Sequence, residues 1–297
     1  MNKNNTTNRI YNHNFDNNAD KRNYIYDAIN KTTAPKQPLV KIPTNGAIKT
    51  NFQSQIQITT PMGILNQGNL GCCGPNALAI AMCIATNNKI QDLCRLYQYP
   101  LTEILDKNNP TQDNGVTTKN LVISVQKYGC CSEAFFTYIP SNYLTFPPIM
   151  CFTNKYNVAL TYSNILQDVN MITNLQNAFN NTQNGSQYTG IIVGIKVYAS
   201  FETNIPTASG IIPLPNAKKE QLLGGHEICL VGYISQANLK VLYPNYQNYI
   251  TSQIYIIFQN SWGSDWGYKG CGFLPREYLT NADICEKPTL ISVIYKK

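Results

Sequence analysis

Residues 67–82 read QGNLGCCGPNALAIAM, a glycine-rich approach followed by an unbroken run of small and apolar residues. Pro75 suits the first turn of a helix, where its missing N–H forfeits no bond, and the run after it has the composition of a buried helix. The vicinal cysteines Cys72 and Cys73 therefore fall at a helix N-terminus, whose partial positive charge and unpaired N–H groups stabilise an anion. A thiol attacks only as thiolate, so one of the two is a candidate nucleophile. On local grounds either serves.

A cysteine nucleophile needs a base near neutral pH, which in practice is a histidine. The chain has two, His13 and His226. His13 lies in a polar extension, whereas His226 stands in GGHEICLVGY at the start of an apolar strand. Asn260, in FQNSWGSDWG at the end of the next strand, is placed to orient an imidazole. Trp262 and Trp266, the chain's two tryptophans, follow it and can shield the pair from water.

Outward from these blocks the chain divides by pattern. TTKNLVISVQKYG predicts a helix with a threonine cap and a closing Gly129, and NMITNLQNAF predicts another. From about residue 190 the segments GIIVGIKVYASF, GHEICLVGYI and QIYIIFQN are β-branched and aromatic, with turn signals between them. A helical half followed by a β half predicts an α+β fold of two lobes with the site in the cleft between them. Residues 1–36 carry ten asparagines and form an extension rather than a domain, with Tyr24, Ile25, Tyr26 and Ile29 as its apolar anchor.

Composition excludes other classes. The 38 asparagines read as a bias of AT-rich coding sequence, as in a large DNA virus or an AT-rich microbe, rather than as chemistry. The net charge of +7 is scattered, with no basic run to track a phosphate backbone, so no nucleic-acid partner is expected. No segment approaches the ~18 consecutive apolar residues of a membrane span, and the N-terminus is too polar for a signal peptide. The expected location is inside a cell or virion. Ten cysteines without a C-x-x-C pair, beside two histidines, give no structural zinc pattern, so no metal or cofactor is expected. Cys83, Cys94, Cys151 and Cys229 read as core thiols, and the adjacent Cys130 and Cys131 as unbridged.

The blocks QGNLGCCG, GGHEICLVGY and FQNSWGSDWGYKGCGF, in the order Cys, His, Asn, resemble the papain-like cysteine peptidases. DNGVTTKNLVISVQKYGCC, IIPLPNAKKEQLLGGHEICLVGY and GFLPREYLT are similar to the bacterial and viral branch, so the resemblance spans roughly residues 38–295. It implies a papain-like peptidase domain over 37–297, with a helical lobe at about 61–145 and a β-barrel-like lobe at about 146–297. It also implies a cysteine endopeptidase acting on polypeptides through a covalent thioester, without a cofactor.

The resemblance separates the two cysteines, because the family's oxyanion-hole glutamine stands six residues before its nucleophile. From Gln67 that register lands on Cys73. His226 is then base and acid, Asn260 its orienting partner, Trp262 and Gly71 supporting residues, and Asn114, Gly115 and Gly225 substrate-binding. A carboxydipeptidase activity would need histidines that the chain does not have to spare.

Three departures stand out. Gly74 replaces the family's tryptophan after the nucleophile and is expected to loosen the packing beneath the thiol. Leu70 and Asp113 replace both halves of a family disulfide, which fits a reducing compartment. His226 follows Cys73 by 153 residues, slightly beyond the ~130–150 of this family. The extension at 1–36 is a candidate propeptide lying in cis over the cleft. The same triad on another acyl group, in an acyltransferase or amidase, is the alternative function, and a non-catalytic binding protein is a third.

Overall fold

All 13 residues of Cys73–Ala85 (α1) are buried, as a helix apolar on every side requires. The computed structural model describes residues 11, 13 and 55–295. The anchor expected at Tyr24, Ile25, Tyr26 and Ile29 lies outside them, as does most of the 1–36 extension. A short strand, Gln55–Gln57 (β1), precedes α1. After it come Arg95–Leu105 (α2), Thr118–Tyr128 (α3) and Ile149–Thr153 (α4). The rest is mainly strand: Val158–Asn164 (β2), then the helix Met171–Gln183 (α5), then Gly190–Tyr198 (β3), Leu222–Ser235 (β4), Ile254–Gln259 (β5), Cys271–Pro275 (β6) and Thr289–Tyr295 (β7).

The strands form one antiparallel sheet in the order β2-β7-β3-β4-β5-β6, with β1 added on β4. The path is open at β2 and β6, so the β-rich half is an unclosed sheet rather than a completed barrel. Strand alternation gives β3 and β4 two apolar faces. Ile192, Cys229 and Val231 pack with α1, while Ile191, Val193, Ile195, Ile228 and Leu230 pack with Met171, Leu175 and Phe179 of α5 and with Trp266. α1 thus rests on β3 and β4, the second of which carries His226.

The helical half is fastened by polar contacts. Thr117 caps α3 by accepting from the Asn120 N–H at 3.3 Å, and Gly129, at φ 75°, ends it. Arg95, at the start of α2, forks onto Glu133 at 2.7 and 3.2 Å, donates to Asn76 of α1 at 2.8 Å, and lies 3.7 Å over the Tyr138 ring. Tyr138 in turn reaches the cysteine pair, so this cation braces the head of α1.

Candidate active site

Cys72 is the N-cap of α1 and Cys73 its first residue, so the two sulfurs leave the backbone in different directions. Cys72 Sγ lies 2.8 Å from the Tyr138 hydroxyl and accepts from Asn76 Nδ2 at 3.3 Å. It is bound into the helical half, and burial pushes its thiol up to about 12. The Cys73 sulfur lies near the backbones of Glu227 and Gly74, against the strand that carries His226.

His226 Nε2 lies 2.8 Å from Asn260 Oδ1, and that oxygen also accepts the Ser261 N–H at 2.9 Å. The Ser261 N–H can only donate, which fixes that atom as the amide oxygen. Nε2 therefore carries the ring hydrogen, and Nδ1 is the basic nitrogen. Trp262 stacks on the imidazole with centroids 4.7 Å apart and planes at 27°, and Trp266 meets Trp262 edge-on at 5.1 Å. His226 and Asn260 are both fully buried.

Gln67 is held on three sides. Its N–H donates to Ser261 O at 2.8 Å, its side-chain Oε1 accepts from Ser261 Oγ at 2.6 Å, and its Nε2 donates to Leu70 O at 2.9 Å. An amide nitrogen has two hydrogens, and Leu70 takes one. Ser261, unremarked in the sequence, thus links the glutamine to the residue that orients the histidine.

Two departures noted in the sequence acquire physical reasons. A Cβ at Gly74 would stand 2.9 Å from Val116 Cγ2 and 3.2 Å from Leu121 Cδ2. The space beneath the thiol is filled from α3 and its approach, so the loosening expected there does not arise. Asp113, standing where the resemblance places a half-cystine, accepts the Gly71 N–H through both oxygens at 2.8 and 3.0 Å and also bonds the Tyr99 hydroxyl. Hydrogen bonds replace the covalent tie, and all ten cysteines are free thiols. Gly115, at φ 72°, donates to the same Tyr99 hydroxyl at 3.0 Å, whereas the Asn114 side chain is exposed and donates to Gln112 O at 2.9 Å within its own loop.

The extension supplies what the sequence did not reveal. Tyr11 packs edge-on against the His226 ring at 6.2 Å and the Trp262 ring at 5.7 Å. The His13 N–H donates to Gly225 O at 3.0 Å, and a Cβ at Gly225 would stand 2.0 Å from His13 O, so only glycine admits the crossing chain. The His13 imidazole is fully buried, with Nδ1 3.1 Å from Glu227 Oε2 and Nε2 3.2 Å from Glu286 Oε2. A polar segment gave no reason to expect this; the signal was Glu227, a carboxylate inside an apolar strand that needs a cation to be buried.

The electrostatics follow from that burial. Desolvation alone would depress His13, but Glu227 and Glu286 outweigh it and raise the imidazole to about 9. Burial raises Glu227 to about 7, and His13 opposes the rise. Burial pushes the Cys73 thiol far up, with hydrogen bonds from the Glu227 and Gly74 backbones only partly offsetting it. Among the described residues two groups have metal-ligand proximity: His13, Glu227 and Glu286, and the buried sulfurs of Cys94, Cys131 and Cys151, each set within 4.8 Å. The first is saturated by its own ion pairs; the second offers three of the four ligands of a tetrahedral site and lies in a separate apolar cluster with Tyr97 and Leu101. No helix among the described residues is long and apolar enough to cross a membrane.

The model of the papain family cysteine proteases matches residues 51–290. An uncharacterized peptidase C1-like protein of Acanthamoeba polyphaga mimivirus is 28% identical over 236 residues, covering 76% of this chain and 69% of its own. Among solved structures, xylellain, a cysteine protease from Xylella fastidiosa, superposes with a TM-score of 0.65 at 22% identity, over 81% of this chain and 86% of its own. A digestive procathepsin L 3 from Tenebrio molitor gives 0.55 at 17%, over 83% and 72%. Helices first and an antiparallel sheet after, joined where a buried helix meets the histidine strand, are the family's α+β fold, and with the match running through all three sequence blocks this chain belongs to the papain family of cysteine peptidases.

Proposed function

We propose that the protein is a cysteine endopeptidase whose nucleophile is Cys73 and whose extension restrains it in cis. The observation that carries the reading is the His226 Nε2–Asn260 Oδ1 bond of 2.8 Å under Trp262, beside the head of α1. With Nε2 tied to Asn260, His226 Nδ1 takes the Cys73 thiol proton as the sulfur attacks the scissile carbonyl carbon. The oxyanion that forms accepts from the second Gln67 Nε2–H and from the Cys73 N–H. His226 then gives its proton to the amine, the C–N bond breaks, and a thioester remains on Cys73. Water attacks the thioester, again losing its proton to His226, and the C–S bond breaks to release the acid.

The extension reading rests on Tyr11 against His226 and Trp262 and on His13 bonded to Gly225. These contacts cover the base and the segment of β4 along which a polypeptide substrate would lie. Cys73 itself is 1% exposed. Hydrolysis of internally quenched peptides by the full chain and by its His13→Ala variant tests both parts. Cleavage by the variant, lost in Cys73→Ala and slower by about 10-fold or more in the chain with His13 intact, is the expected result; 10-fold corresponds to ~1.4 kcal/mol of docking. Equal rates with and without His13 would remove the restraint, and no cleavage by any form would remove the endopeptidase.

A further inference from the structure

The Leu70 carbonyl and the Gly71 N–H are the two ends of one peptide unit, and both are engaged. The carbonyl accepts from Gln67 Nε2 at 2.9 Å, and the N–H donates to both oxygens of Asp113, at 2.8 and 3.0 Å. A peptide unit is planar, so the group that fixes the direction of its N–H fixes its carbonyl as well. A carboxylate on the N–H also polarises the unit and makes its carbonyl the stronger acceptor. The Gln67 amide is planar too. With Oε1 held by Ser261 Oγ at 2.6 Å and one Nε2 hydrogen held by Leu70, the direction of its second N–H is set. Asp113 thus reaches the proposed oxyanion donor through a single peptide plane.

Asp113 is itself held in place from α2. The hydroxyl of the buried Tyr99 donates to it and accepts the Gly115 N–H at 3.0 Å, and the Asn114 N–H donates to Oε1 of the buried Glu103 at 3.1 Å. Three successive residues of one loop are therefore tied to two side chains of one buried helix. We propose that Asp113 is a positioning residue for the oxyanion hole, acting on Gln67 through the Leu70–Gly71 peptide, and that Tyr99 keeps it in register. Asp113 exchanges no proton with the substrate and does not touch it; its effect on the reaction passes through the aim of the Gln67 N–H.

This rests on the endopeptidase reading, and the test separates the two. The parent is the full-length His13→Ala chain, to which Asp113→Asn, Gln67→Ala or both are added. Steady-state kinetics on a fluorogenic peptide are set beside the rate of Cys73 alkylation by iodoacetamide, followed by mass spectrometry. Alkylation displaces iodide at a saturated carbon and forms no oxyanion, so it reports on the thiol and the fold alone. Asp113→Asn keeps the side-chain shape but turns an NH2 group toward the Gly71 N–H. It should lower kcat by about 10-fold or more, within the range that a misplacement of ~1 Å costs. KM and the alkylation rate should stay within about threefold, as for loss of an interaction made only in the transition state. In the Gln67→Ala background the same substitution should lower kcat by less than about threefold, because the group it positions is gone. Tyr99→Phe should give a smaller loss of kcat, again without loss of alkylation. An unchanged kcat in Asp113→Asn, an equal loss in both backgrounds, or a loss matched by slower alkylation would overturn the positioning role and leave the peptidase standing. No turnover by the parent would overturn both.

Discussion

Cys72 and Cys73 differ in what their sulfurs touch. Cys72 is engaged by Tyr138 and Asn76, while Cys73 meets the histidine strand. Cys73→Ala should abolish peptide turnover; Cys72→Ala should keep most of it, because it removes contacts on the helical side only. Gln67→Ala should lower kcat by about 100- to 1,000-fold, as loss of an oxyanion donor does elsewhere. Ser261→Ala, which frees Gln67 Oε1, should lower it less. Steady-state kinetics on a fluorogenic peptide check all four, and near-normal kcat in Gln67→Ala would show that the amide does not face the oxyanion. The cysteine pair, His226 and Asn260 were legible as candidates from a helix head, the start of an apolar strand and the end of the next, whereas Gln67 and the choice of Cys73 over Cys72 came from the resemblance to the papain-like peptidases. Tyr11 and His13 were not, since their partners, His226 and Trp262 for the one and Glu227 and Glu286 for the other, lie more than 200 residues away in the chain.

At the scale of elements, α1, α3, α5 and β3 to β5 announced themselves through apolar runs and through the caps at Thr117 and Gly129. α2 did not. Pro100 inside it removes a helical N–H, and the helix survives on the burial of Leu96, Tyr97, Tyr99 and Leu101 rather than on propensity. β2 was equally silent, being an edge strand with Leu160 as its one buried residue. The contact of α1 with α3 gives a stability prediction. Gly74→Ala would push a methyl group to 2.9 Å from Val116 and 3.2 Å from Leu121, an overpacking of about 1–3 kcal/mol. In a chain of this size each kcal/mol lowers Tm by about 2–4 °C, which calorimetry resolves. Pairing it with Val116→Ala should recover part of the loss; an unchanged Tm in Gly74→Ala would mean that the space is not filled from α3.

At the scale of the whole molecule, docking of the extension is linked to protons. His13 rises from 6.5 to about 9 on burial among carboxylates, and Glu227 from 4.5 to about 7. A raised value means that the docked state binds the proton more tightly than the undocked state. The His13 contribution is complete below pH 6.5 and is lost as pH rises through 9. Glu227 on β4, Glu286 ahead of β7, and Thr118 and the Val116 backbone at α3 are the groups that face the imidazole. Docking raises His13 and opposes the rise of Glu227, so protonation of Glu227 in acid weakens the contact, and the extension should loosen as pH climbs from neutral into alkali. The Cys73 labelling rate of the full chain, divided at each pH by that of His13→Ala to cancel thiol ionisation, should climb about 10-fold or more between pH 6.5 and 9. A flat ratio would detach His13 from the restraint.

The most direct test of the account joins nucleophile, base and extension in one experiment. Full-length His13→Ala is reacted with a peptidyl epoxide, digested, and the adduct mapped by mass spectrometry, in parallel with versions also carrying Cys72→Ala or His226→Ala. The account requires the adduct on Cys73, retained without Cys72 and slowed by about 100-fold or more without His226, the range of a general base. An adduct on Cys72 with Cys73 untouched, or Cys73 modified equally fast without His226, would contradict it.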